Sequence, residues 1–216
     1  MDSAAFESLM TSLVRDDDAQ LSPGNISSAI ELVINRYSKD RPLQLVEDCE
    51  VHEDLSVDLP SGWVNGFSSI VSIEAPIGRN PPSYVNEDYY YVYNLPASSV
   101  ELRLLTRVVD AGSFLRICYV ARHTATDTFF EDDLEALAYL GASVLCDQLA
   151  AYYSHDSAPS IQADSVDHAD KARKFSSRAR DYRARYDTKF GKGTNSNAAG
   201  TIVQADSPRR PGLFHR

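Results

Sequence analysis

Cysteine is scarce in this 216-residue chain, with Cys49, Cys118 and Cys146 the three present. They are scattered, odd in number and form no C-x-x-C pair, which speaks against a disulfide framework and fits reduced, buried thiols. Zinc takes about four clustered ligands. The five histidines (His52, His123, His155, His168, His215) do not gather near the cysteines, so no metal is expected. No apolar run approaches the roughly 18 residues that cross a bilayer, so no membrane is expected among the partners. Met1–Arg15 has acids and no basic n-region. The expectation is a chain without a signal peptide, resident in a cytosol.

Enzyme signatures are missing as well. There is no G-x-x-x-x-G-K-[ST], no G-x-G-x-x-G, no G-x-S-x-G and no H-E-x-x-H. The acid runs Asp16–Asp18 and Glu131–Asp133 fall at helix ends, where caps and the helix dipole account for them. His123 stands at a strand end with no acid partner close in sequence. His168 reads as a packing or interface residue of a helix, and Cys146 as a small apolar residue of a helix seam. No catalytic residue, metal site or cofactor is assigned, and a non-enzyme is expected.

Charge is unevenly spread. Residues 171–216 hold 12 of the 21 Lys and Arg and three acids, a net of +9, so residues 1–170 carry −19 of the total of −10. Such a split fits two ends that face different partners, or simply a solvated basic helix on an acidic body.

Periodicity predicts an α+β fold. Residues 3–14 read as an amphipathic helix with Phe6, Leu9, Met10 and Leu13 on one stripe. Ser22-Pro23 caps a second helix running to Ser38, with Ile26, Ala29, Ile30, Val33 and Ile34 inward and Arg41-Pro42 as its stop. From 42 to 123 the period shortens. Strands are expected at 44–51, 55–59, 69–75, 89–93, 100–108 and 114–121, with Asp110–Ser113 as the hairpin turn between the last two. They read as one small antiparallel sheet inserted between helices. Residues 131–153 form an apolar helix with a seam of Leu134, Leu137, Ala138, Gly141, Leu145, Leu149 and Tyr152. Residues 163–190 form a long basic one with a stripe of Val166, Ala169, Ala172, Phe175, Ala179, Tyr182 and Tyr186. Together they read as an antiparallel hairpin. The domain plan is a helical bundle core over 1–190 and an extended arm over 191–216. The arm is small and polar at first, then carries Thr201-Ile202-Val203 and a basic end with Leu213 and Phe214, the composition of a segment that orders on a partner.

The basic helix 171–189 interleaves Lys and Arg with Phe175, Tyr182 and Tyr186, so a nucleic-acid-binding module is one alternative. Its aromatics share a stripe with alanines, which favours core packing over base stacking.

Several stretches carry a resemblance. They are Ala29–Tyr37 followed by Ser38-Lys39-Asp40, Leu59–Ser72 continuing to Ile73-Glu74-Ala75-Pro76, Pro81–Tyr84, Leu115–Thr124, Leu134–Tyr153 and Ala163–Tyr186. In element order and composition, over about residues 3–190, the chain resembles the head–tail connector (adaptor) proteins of long-tailed bacteriophages. The sheet insertion departs from an all-helical adaptor, and a stopper or tail-completion protein of the same neck is the neighbouring alternative. The resemblance implies a structural virion protein, made in the host bacterial cytoplasm, that forms a dodecameric ring beneath the portal and presents a surface to the next stopper or tail protein. DNA would pass its lumen without specific recognition. Portal binding would fall to the arm: Thr201, Ile202 and Val203 as an added strand, Arg209, Arg210 and Arg216 as ion-pair partners, Leu213 and Phe214 as apolar plugs. Arg178, Arg180 and Arg183 would supply the subunit interface against an acidic face of the next copy.

Overall fold

Residues 2–16, 19–94, 100–155 and 162–191 are described in the computed structural model of the chain. They form four helices and two small antiparallel sheets, an α+β fold: α1 (Ser3–Val14), α2 (Pro23–Asp40), β1 (Leu43–Glu50), β2 (Ser56–Asp58), β3 (Ile70–Glu74), β4 (Tyr90–Asn94), β5 (Val100–Leu104), β6 (Phe114–Ala121), α3 (Leu134–His155) and α4 (Gln162–Lys189). The side chains of Val166, His168 and Ala169 and all of residues 192–216, the arm included, lie outside those described.

Local chemistry sets the helix starts. The Asp2 carboxylate accepts from the Ala5 N–H at 2.7 Å. Ser22 and Asn25 close a capping box around Pro23, which needs no N–H partner in the first turn. The four helices share one apolar core, centred on Phe6, Met10, Val33, Tyr37, Leu137, Leu145, Leu149 and Tyr186. The α3 seam differs from expectation at its end: Tyr153 is buried and Tyr152 is exposed, because four residues beyond Leu149 the helical repeat returns to 153. α3 is also long and apolar enough, over Glu131–Ser154, to cross a membrane by length and composition, which the run-length reading missed. With 61% of its qualifying 18-residue window buried against protein, the apolarity belongs to the core.

The strands make two sheets rather than one, ordered β1–β6–β3 and β2–β5–β4. The expected hairpin between β5 and β6 does not form. β6 buries Leu115, Ile117, Tyr119 and Ala121 on one face and needs a partner of equal length. It finds one in the eight residues of β1, from Leu43 opposite Ala121 to Glu50 opposite Phe114. The Asp110–Ser113 turn survives as a turn, with Gly112 at φ +76°. It bonds Val51 instead, Gly112 N–H to Val51 O at 2.8 Å and Val51 N–H to Ser113 O at 2.9 Å. A second core of Val51, Val57, Ile73, Leu102, Leu115 and Ile117 fills the strand unit.

The two cores are separate. Because Leu43 pairs with Ala121, the chain enters and leaves the strand unit side by side, through Arg41-Pro42 and through residues 122–130. The result is a helical unit and a strand unit joined by a two-stranded stem.

Gly141 lets α1 approach α3: a Cβ there would meet the Met10 Sδ at 2.0 Å and Val33 Cγ2 at 3.4 Å. Gly141→Val should cost about 1–3 kcal/mol through overpacking, read as a lower urea midpoint at unchanged m-value.

Candidate interaction surfaces

The stem is built on a buried carboxylate. Asp133, 1% exposed, accepts from the Tyr37 hydroxyl and from Arg41 Nη1, each at 2.6 Å, and Lys189 Nζ lies 3.7 Å away. α2, the turn before α3 and the end of α4 thus converge on one group. Glu131 and Asp132 are exposed, as expected of acids at a helix start. Asp133 corrects that reading, because its partners lie 96 and 92 residues away. Burial, reinforced by the bond to Asp133, raises the Tyr37 hydroxyl well above its ordinary pKa, which keeps it a neutral donor. Tyr186 is raised in the same way, by burial and then by its 2.8 Å bond to Asp40.

His123 completes the stem. It is 2% exposed and stacks on Tyr37 at 4.5 Å between ring centres. Its backbone N–H donates to Ser38 Oγ at 3.0 Å. Nε2 lies 2.9 Å from the Arg41 carbonyl, which can only accept, so Nε2 carries the proton and Nδ1 faces Thr128 Oγ1 at 2.9 Å. No carboxylate touches the ring among the described residues. Burial pushes its pKa below the usual value, and the Arg41 charge adds to this. Phe129 and Phe190 pack edge-on to Tyr37 at 5.2 and 5.8 Å.

The basic helix presents a different chemistry. Two of the three arginines expected at a subunit interface are engaged within their own chain. Arg183 pairs with Asp147 at 2.6 Å. Arg178 donates to the Val14 carbonyl at 3.1 Å and covers the Phe175 ring. Arg180 is exposed, as is Lys174, and neither has a partner among the described residues. The helix aromatics are occupied as well: Phe175 stacks on Tyr153 at 5.7 Å, and Tyr182 stacks on Tyr139 at 5.6 Å and donates to the Leu13 carbonyl.

The strand unit displays an aromatic surface where the sequence predicts a run of strand-forming residues. Tyr84, Tyr89, Tyr91, Val92 and Tyr93 are all exposed, and β4 is an end strand of its sheet. Glu87 and Asp88, which precede Tyr89 in the chain, are exposed as well, and Arg103 covers the Tyr93 ring at 4.8 Å. Trp63, Ile70, Tyr90, Val92 and Val100 line a cleft of about 490 Å³ that lacks any convergent set of titratable groups. Among the described residues no group of three or more His, Cys, Asp or Glu could hold a metal ion. Cys49 and Cys146 are buried, which pushes each thiol up to about 11, the reverse of a reactive cysteine.

No protein-family model matches the chain, and no curated protein matches it in sequence.

Two outcomes follow for the stem. Asp133→Ala strands the buried Tyr37 hydroxyl and should cost about 2–3 kcal/mol. In a double-mutant cycle with Tyr37→Phe, the two losses should couple by about 1 kcal/mol or more. His123 sets the acid limb. Its native pKa lies below 6.5, so between the two values the unfolded chain binds more protons and stability falls as pH drops below about 6.5. His123→Gln should flatten that part of a stability–pH curve.

Proposed function

We propose that the chain is a structural neck protein of a tailed bacteriophage, one that rings the DNA path beneath the portal and joins head to tail. The observation that carries the proposal is the placement of unlike surfaces on the two units. The helical unit offers the exposed cations Lys174 and Arg180, unpaired among the described residues, and the strand unit offers exposed aromatics with Glu87 and Asp88 beside Tyr89 in the chain. A molecule with complementary and different faces is suited to heterologous, head-to-tail contacts, the kind that close into rings. Repeated twelve times, as the resemblance implies, this contact makes a dodecamer.

In this reading the four helices are the bundle core, with α3 and α4 as its antiparallel hairpin. The stacked pairs Tyr153–Phe175 and Tyr139–Tyr182 run in opposite chain directions and support that pairing. The strand unit is the insert that projects on the stem. The acidic body, −19 over residues 1–170, suits a channel wall that does not grip moving phosphates. Arg209, Arg210, Leu213, Phe214 and Arg216 of the arm reach the portal. The free cations of α4, rather than Arg178 and Arg183, carry the subunit contact. Nucleic-acid binding by α4 is the weaker reading, because its aromatic rings are engaged with α3.

Native mass spectrometry, of the chain alone and mixed with a portal protein, tests the proposal. A ring or a portal-bound assembly is expected. Charge reversal at Lys174 and Arg180 should deplete the oligomer with the circular dichroism of the fold unchanged. Deleting residues 191–216 should abolish portal binding. A monomer that ignores the portal and shifts DNA with a steep salt dependence would overturn the neck reading in favour of the nucleic-acid one.

A further inference from the structure

The strand unit has an unfilled place beside two end strands. One lobe, about 490 Å³, opens between Trp63 and Ile70 on one side and Tyr90 and Val92 on the other. A second lobe, about 670 Å³, lies between Val71 and Ser72 of β3 and the Tyr84–Glu87 segment, and Glu87 and Tyr90 are common to both lobes. β3 is the last strand of its sheet. Residues 83–85 cover its outer edge from Ile73 onward, through Val85 N–H to Ile73 O at 2.8 Å and Ala75 N–H to Ser83 O at 2.9 Å. Ile70–Ser72 have no strand on that side among the described residues. An open strand edge next to an apolar wall is a template for one more extended segment.

We infer that this cleft is the seat of the chain's own C-terminal segment Thr201–Val203, held as an added strand on the free edge of β3. Three observations converge on that occupant. The first is tether length. Phe190, at the end of α4, lies 5.8 Å from the Tyr37 ring, which lies 4.5 Å from the His123 ring. Three residues before His123, the Val120 N–H bonds Ser69 O at 2.9 Å, beside the cleft floor. Thr201 is ten residues beyond Gly191, and ten extended residues cover roughly 33 Å, enough to follow that path. The second is shape and polarity: Ile202 and Val203 are the β-branched residues that suit a half-apolar strand site, and they would cover Ile70, Trp63 and Val92. The third is charge. Residues 192–216 carry Lys192, Arg209, Arg210 and Arg216 against Asp206, a net of +3. Glu87 lines both lobes, and Glu87 and its chain neighbour Asp88 are exposed.

Seated this way, the arm is parked on its own subunit, and a partner that takes up the arm competes with the cleft for it. The inference is independent of the neck reading.

The test uses the full chain with the photo-crosslinking residue p-benzoylphenylalanine in place of Ile202. Isotope-labelled and unlabelled copies are mixed before irradiation. Peptide mapping should place the adducts on residues 68–72 or 90–94 of the same isotopic chain. Val92→Glu, at an exposed position on the cleft wall, should lower their yield about tenfold, since a charge there opposes burial of an apolar strand. Adducts elsewhere, adducts joining labelled to unlabelled chains, no adducts, or a yield indifferent to Val92→Glu would each overturn the inference. Oligomeric state, measured on the unirradiated sample, decides the ring separately.

Discussion

A carboxylate removed from water must find donors, and Asp133 finds them on three separate segments of the chain. Tyr37 brings α2, Arg41 brings the entry to the strand unit, and Lys189 brings the end of α4. The Asp133 charge fixes where the helical unit ends and the strand unit begins. His123 and its contacts to Ser38, Thr128 and the Arg41 carbonyl seal the same joint from the exit side. Each core is an ordinary apolar assembly, and this polar node sits where the chain passes from one to the other.

Local rules made much of the architecture legible. The Ser22-Pro23 cap, the Arg41-Pro42 stop and the β-branched run ending at Ala121 were readable because each is a short-range preference. The α+β class followed from the change of period near residue 42. Pairing was not readable in the same way. Asp110–Ser113 has good turn chemistry, and turn chemistry cannot say that β6 needs an eight-residue partner found 64 or more positions upstream. Hence one sheet was expected where two exist. The slip from Tyr152 to Tyr153 shows the resolution of a helical stripe, about one residue after five turns.

The stem illustrates a deeper limit. Glu131, Asp132 and Asp133 are alike in sequence, and only the third is buried. The distinction comes from Tyr37 and Arg41, almost a hundred residues away. The arginines of α4 make the same point on the surface. Arg178, Arg180 and Arg183 are equally basic on paper, yet only Arg180 keeps its charge free of an intrachain partner among the described residues. A charge run becomes an interface only after the fold has drawn on it for its own contacts.

The two-stranded stem has a mechanical meaning. Hydrocarbon packed across a broad face resists shear in every direction. Here the chain passes between the two cores through the paired backbones at Leu43 and Ala121 and the side chains around Asp133. Load passed from one core to the other is therefore carried in part by polar contacts that water can replace, and not by hydrocarbon packing alone.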